Sequence, residues 1–258
     1  MSALVARHRG LLALSARESH RVLKLWTQTI AAPVISSFLF IAVFGLALGS
    51  RIREIDGVPY EVFIVPGLVT MAMIQAAYTN NSSSVFQARF DRYINDVLAA
   101  PMRPWEVNVA LSVGGVVRAL AIGVGLIACI VPIVDIPVRE PLVLAAALSL
   151  TLVLFASFGV VVGVYAASWD HAAFVTNLVI LPLSFLGGVF YSIDVLPSPW
   201  QEISHLNPIF YLLNAVRYGF LGTSDVSVAL SLAVTGALAA LVVAWSSWLF
   251  ATGHRLKP

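Results

Sequence analysis

Along most of this chain polar positions are too sparse to set up any alternation. Six long apolar stretches, at roughly 28–50, 62–84, 106–131, 141–166, 173–192 and 226–250, run on without a period. About 20 mostly apolar residues cross a bilayer as a helix, because a helix bonds all its backbone polar groups internally. The pattern therefore predicts six membrane-spanning helices. Three other segments do carry periodicity or punctuation. Residues 3–26 place Leu4, Leu11, Leu12, Val22, Leu23 and Trp26 on a broad apolar face, with arginines and Lys24 elsewhere, which predicts an amphipathic helix lying along a membrane surface. After the second stretch, Phe90, Tyr93, Ile94, Val97 and Leu98 fall at i, i+3, i+4, i+7 and i+8, one face of a helix, and Asp91, Arg92, Asn95 and Asp96 occupy the other side. Pro101 and Pro104 stop that helix before the third stretch. It is too short and too charged to span, so it is expected at the surface, its apolar face either filling a groove in a partner or resting on the membrane interface. Residues 193–224 are broken by Pro197, Pro199 and Pro208, which predicts a pair of short helices dipping part-way into the bilayer and packing on the bundle or lining an exit.

Composition agrees with the pattern. Of 258 residues 59% are hydrophobic and 11% charged, and the mean hydropathy is +0.91. Soluble domains carry about 25% charged residues, so lipid is the expected outer solvent. The spans use over half of the chain, which predicts one membrane domain over residues 1–258: an interfacial helix at 1–27, a six-span bundle at 28–250 and a tail at 251–258. Charges in residues 1–27, and the lack of a short apolar core before a small-residue cleavage site, argue against a cleavable signal peptide.

Charge also predicts orientation. With both termini cytoplasmic, the inner segments hold ten Lys/Arg and the outer ones four (Arg51, Arg53, Arg139 and Arg217), as the positive-inside rule requires. Trp26, Trp105, Trp169, Trp245 and Trp248 fall at the proposed inner ends of spans, where indole favours the headgroup level. Gly45 with Gly49, and Gly159 with Gly163, have the GxxxG spacing that lets helices approach, within one chain or between subunits.

Candidate chemistry narrows the function by what it excludes. No HExxH, GxSxG or Cys/His cluster is present, so no catalytic or metal site is expected, and lone Cys129 excludes an intramolecular disulfide. The five histidines lie far apart and are expected to be interfacial or solvated. Asp and Glu avoid the spans, which disfavours a proton- or sodium-coupled carrier. The only lysines, Lys24 and Lys257, are followed by Leu25 and Pro258, so no Walker loop exists and any ATPase is a separate subunit. Arg118 is the one charge deep within a span. It costs about 2.5–3.5 kcal/mol there and is expected either to meet an anionic headgroup or gating partner, or to bond helix carbonyls or Asn80 or Asn177. Arg217, in the Pro-broken piece, is expected to bond helix-end carbonyls.

Several stretches carry a family resemblance: Leu98-Ala99-Ala100-Pro101, Phe63-Ile64-Val65-Pro66-Gly67-Leu68, Gly114-Gly115 with Arg118, and Gly187-Gly188-Val189-Phe190-Tyr191-Ser192. The longest is Leu206-Asn207-Pro208 with Arg217-Tyr218-Gly219-Phe220-Leu221-Gly222. With six spans around them, these resemble ABC-2-type transporter permeases, most closely the YadH-like and nodulation-factor-exporter branch. The resemblance implies an all-α exporter fold built from two permease copies, as a homodimer, and two copies of an ABC ATPase that holds the ATP and Mg²⁺. It implies ATPase coupling at Phe90, Tyr93, Ile94, Val97 and Leu98, and an outer re-entrant gate containing Asn207, Pro208, Tyr211 and Arg217. Cargo would be a drug, lipid or glycolipid; membrane lipids are the other partners, and no nucleic acid is expected. An ion-coupled carrier, an ABC importer, whose inner-loop Glu-Ala-Ala-Gly pattern is missing here, and a non-transporting scaffold are the alternatives.

Overall fold

A computed structural model describes residues 8–49, 52, 54, 55 and 57–256. Leu4, Arg51, Arg53, Lys257 and Pro258, named above, lie outside the described residues. The fold is all-α apart from a two-residue hairpin in which Glu54 and Ile55 pair with Pro59 and Val58 around Gly57, at φ 74°. Among the described residues six helices are long and apolar enough to cross a membrane. The first span enters through a π-helical turn, Thr27–Ala31, and continues as Ala32–Gly49. The second is Tyr60–Phe90, the third Pro104–Ile130 and the fourth Pro141–Tyr165. The fifth is Trp169–Val175, a π-helical turn Thr176–Ile180 and Leu181–Leu186; the sixth is Val228–Thr252. Six crossings return the chain to its starting side. The end of the bundle holding the described N- and C-terminal segments is here the terminal end, and the opposite one the far end.

The second span is the axle of the bundle. Its apolar window is 72% buried, against 17% for each of the first, fifth and sixth spans. Small residues let its neighbours close on it: a Cβ on Gly159 would lie 2.5 Å from the Tyr78 carbonyl oxygen, and one on Gly163 2.7 Å from that of Ser82. Gly49 likewise faces Glu61 at the start of the second span, 3.1 Å from a Cβ position. Both GxxxG pairs thus pack within the chain.

Helix boundaries depart from the apolar pattern in two spans. The second runs past 84 to Phe90 because Asn80, Asn81, Ser82 and Ser84 are buried inside the bundle, where Asn81 Nδ2 donates to the Ala156 carbonyl at 3.0 Å. The fifth stops at Leu186 rather than 192, because Gly187 and Gly188 (φ 86°) turn the chain out of the helix.

Of the two surface elements, helix Arg9–Lys24 packs a narrow stripe on the bundle: Leu14, Glu18 and Val22, at i, i+4 and i+8, are buried, while Leu12 and Leu23 of the predicted apolar face are exposed. The helix predicted over 90–98 is split. Phe90 ends the second span, Arg92 takes a left-handed conformation (φ 63°), and a shorter helix spans Ile94–Ala99. Its apolar face is closed rather than open: Ile94 and Val97 share a core with Leu14, Val85, Ala88 and Val107. Burying those side chains at the terminal end stabilises the bundle by about 1.5–3 kcal/mol each, which is why the face turns inward.

Candidate functional site

Three regions concentrate the polar chemistry. At the terminal end, helix Arg9–Lys24 and helix Ile94–Ala99 form a platform around the start of the third span. His8 Nδ1 meets Glu106 Oε1 at 2.6 Å, and the other Glu106 oxygen accepts from the Arg103 backbone N–H at 2.7 Å, closing the N-terminus of the third span. This histidine is therefore partnered, not simply solvated. The Arg17 guanidinium stands 4.5 Å over the Tyr93 ring. Burial pushes the Tyr93 phenol above its ordinary pKa, and the charge of Arg17 partly opposes the rise. Of the five residues assigned to coupling, Phe90 is 73% exposed whereas Ile94 is 2% exposed. The outward surface consists of Phe90, Asp91, Arg92, Asn95 and Asp96; Tyr93 and Leu98 are half-buried beside it.

Beneath the platform is a buried polar cluster that the sequence did not disclose. Glu18 Oε2 accepts from Arg21 Nη2 at 2.9 Å and from Ser84 Oγ at 2.8 Å, and Arg21 Nη2 also reaches Asn80 Oδ1 at 3.3 Å. The approach is permitted by Gly114, where a Cβ would come within 3.0 Å of Asn80 Nδ2 and 3.1 Å of Glu18 Cβ. The signal was present as the i, i+4, i+8 stripe Leu14-Glu18-Val22, one charge in an apolar row. Arg118 is half-buried, and its Nε donates to the Thr29 carbonyl in the first span at 2.9 Å. Of the partners considered, a helix carbonyl is therefore the one found, and neither Asn80 nor Asn177 is.

Between the first, second and fifth spans runs a groove of about 280 Å³. Ser36, Ser37 and Gln75 line it with hydroxyl and amide groups; Phe40, Leu68 and Phe185 supply its apolar wall. Phe190 stands over its far end, with ring centroids 6.0 Å from Phe40 and 5.7 Å from Phe185. Ser36, Ser37 and Gln75 carry no signal in the sequence, because isolated Ser and Gln within a span give no pattern; Leu68 and Phe190 fall in the family-like stretches.

At the far end the Pro-broken segment forms helices Ser198–Leu206 and Pro208–Leu221, as its punctuation predicts. Asn207 caps the second of them, accepting from Ile209 N at 3.0 Å, while its Nδ2 donates to the Leu183 carbonyl at 2.6 Å. Pro208 begins the helix, and Tyr211 Oη donates to the His205 carbonyl at 2.8 Å. Arg217 is buried. Its Nη2 donates to the Gly188 carbonyl, its Nη1 lies 3.4 Å from Asp225 Oδ2, and its guanidinium is 4.2 Å from the centre of the Phe63 ring. Asp225 in turn accepts from Ser192 Oγ at 3.0 Å and donates its backbone N–H to Asn214 Oδ1 at 2.8 Å. Arg217 thus ties four segments together, helix-end carbonyl included. Nothing in the sequence singles out Asp225, its acidic counterpart.

Comparison with known proteins places this geometry. The family model described as "ABC-2 type transporter" matches residues 9–221. The inner membrane transport permease YadH of Escherichia coli K12 is 44% identical over 218 residues, covering 84% of this chain and 85% of that protein. Nodulation protein J of Sinorhizobium fredii NGR234 is 26% identical over 211 residues, covering 78% and 76%. Nodulation protein J of Rhizobium leguminosarum bv. viciae is also 26% identical, over 219 residues covering 81% and 83%.

Proposed function

The chain belongs to the ABC-2 type transporter family and is an ABC transporter permease subunit, and from that premise we propose that it exports an amphiphile of drug, lipid or glycolipid type. The observation that supports this reading is the groove between the first, second and fifth spans. Ser36, Ser37 and Gln75 offer hydrogen bonds to a headgroup, and Phe40, Leu68 and Phe185 suit an apolar tail. With the first and fifth spans lightly buried, the groove is open to molecules already dissolved in the bilayer. The bacterial inner membrane is the proposed location, as for the E. coli relative, with the terminal end cytoplasmic on the charge distribution.

In this reading two copies of the chain pair and two ATPase subunits, holding ATP and Mg²⁺, dock on the terminal platform. Their contact is the exposed surface around Phe90 and Asp96, with Tyr93, Ile94, Val97 and Leu98 as its inner support. The 31-residue second span carries displacement inward from Phe90. ATP binding favours the outward-opening arrangement by its differential affinity for that state, and hydrolysis resets it. Asn207, Pro208, Tyr211 and Arg217 hold the far-end helices that narrow the exit.

The test is reconstitution. The tagged chain is purified from native membranes with its co-isolating ATPase and placed in vesicles with a fluorescent short-chain phospholipid as probe. ATP-dependent movement of the probe is expected. Phe90→Ala should reduce both ATPase recovery and movement while leaving the melting temperature unchanged. ATP-independent movement driven by an ion gradient, or normal ATPase recovery with Phe90→Ala, would overturn it.

A further inference from the structure

Two of the three spans that wall the groove, the first and the fifth, share a device. In each, a π-helical turn begins with threonine and ends two residues before a proline: Thr27–Ala31 then Pro33, and Thr176–Ile180 then Pro182. A π turn replaces i→i+4 bonding with i→i+5, and proline has no N–H for the carbonyl four residues earlier. Each span is therefore weakened at one level, where kinks arise. The groove-lining residues Ser36 and Phe40, and Leu181 and Phe185, lie at or beyond those levels towards the far end. Both spans are lightly buried, so packing alone does not hold them.

The two hinges differ in one respect. The carbonyl that Pro33 leaves without its i+4 donor is that of Thr29, the carbonyl to which Arg118 Nε donates at 2.9 Å. Thr29 is held further by its own Oγ1, which donates to the Val22 and Leu25 carbonyls at 2.8 and 3.0 Å. In the fifth span the equivalent carbonyl belongs to Leu178, and among the described residues no side chain donates to it. We propose that Arg118 is a positioning residue that clamps the first-span hinge to the third span, so that the groove opens by the fifth span swinging about Thr176–Ile180. This rests on the reading of the groove as the substrate pathway. It also accounts for an arginine at mid-span without giving it cargo to bind. Phe185 lies seven residues beyond Leu178, a lever of about 10 Å at 1.5 Å per residue, so a bend of about 25° moves it by about 4 Å.

Spin-label distances on the chain alone in lipid nanodiscs test the clamp. In a Cys129→Ala background, one label goes at exposed Leu142 on the fourth span and the second at Leu39 on the first span or Phe185 on the fifth. The 185–142 distribution is expected to be broader than the 39–142 distribution by about 4 Å. Arg118→Met should broaden 39–142 to match while leaving 185–142 unchanged, and Arg118→Lys, whose ammonium still reaches a carbonyl, should keep 39–142 narrow. Pro182→Ala, restoring a donor to Leu178, should narrow 185–142. Equal widths in the parent protein would overturn the proposal, as would a narrow 39–142 distribution in Arg118→Met, broadening of both pairs together, or an unaltered 185–142 width in Pro182→Ala. The distances need neither cargo nor ATPase, so their failure leaves the transport reading standing, and a chain that moves no probe still yields them.

Discussion

Glu18→Ala isolates what holds the platform to the bundle. The Glu18 carboxylate is 1% exposed and one oxygen accepts three hydrogen bonds, from Arg21 Nε and Nη2 at 3.2 and 2.9 Å and from Ser84 Oγ at 2.8 Å. Removing it leaves the Ser84 hydroxyl buried without its charged acceptor, at about 1.5–3 kcal/mol for a hydrogen bond to a charged group. The Arg21 term is smaller. That side chain is 37% exposed and can turn to water or headgroups, so the pair is worth about 0–1 kcal/mol. Relief of the desolvated carboxylate offsets part of the sum, leaving about 2–3 kcal/mol. Since about 1.4 kcal/mol is tenfold in population, opening of helix Arg9–Lys24 should become about 30- to 150-fold more frequent. Hydrogen exchange in nanodiscs reads this directly, as faster exchange confined to residues 9–24 with the second span unchanged. Ser84→Ala should accelerate the same amides by about tenfold or less. Acceleration below about threefold in Glu18→Ala, or acceleration spread evenly over the bundle, would refute the latch.

Further substitutions probe packing and buried charge. Gly163→Ala sets a Cβ 2.7 Å from the Ser82 carbonyl and should cost about 1–3 kcal/mol in a detergent melt. Gly236→Ala, whose nearest neighbour is 3.8 Å away, should be neutral or stabilising by up to about 1 kcal/mol. Arg217→Met strands the buried Asp225 carboxylate and should lose about 3–5 kcal/mol; adding Asp225→Asn should restore most of it in the same melt. Ile94→Ala should cost about 2–5 kcal/mol because that side chain is core, whereas Phe90→Ala should shift the melt by no more than about 0.5 kcal/mol.

Length and apolarity sufficed to find six spans, since a bilayer demands little beyond those two properties. Pro197, Pro199 and Pro208 likewise announced the far-end helices. Periodicity misled where tertiary contacts decide. Phe90 and Ile94 share a helical spacing, yet the left-handed Arg92 breaks the helix between them, and no glycine marks that turn. The apolar stretch fades at 84, yet Asn80, Asn81, Ser82 and Ser84 are each buried and the helix runs on to Phe90. Glu18 sits on a helix whose charges are expected to face out; its place in the Leu14-Glu18-Val22 stripe is a faint cue, and its partner Ser84 is distant in sequence. The π turns had a local cue in Pro33 and Pro182, but proline alone does not distinguish a kink from a wider turn.

The amide of Asn81 has a consequence for how the chain is made. Its acceptor, the Ala156 carbonyl, lies 75 residues downstream. At about 5–20 residues per second, about 4–15 s pass between synthesis of the two. Until then the Asn81 amide has only its longer bond, 3.4 Å to the Ser112 carbonyl 31 residues downstream, and hydrocarbon would penalise so weakly satisfied a group. Biogenesis therefore favours retaining this helix in the aqueous shelter of the insertion machinery until its partner emerges, and releasing the two into lipid together.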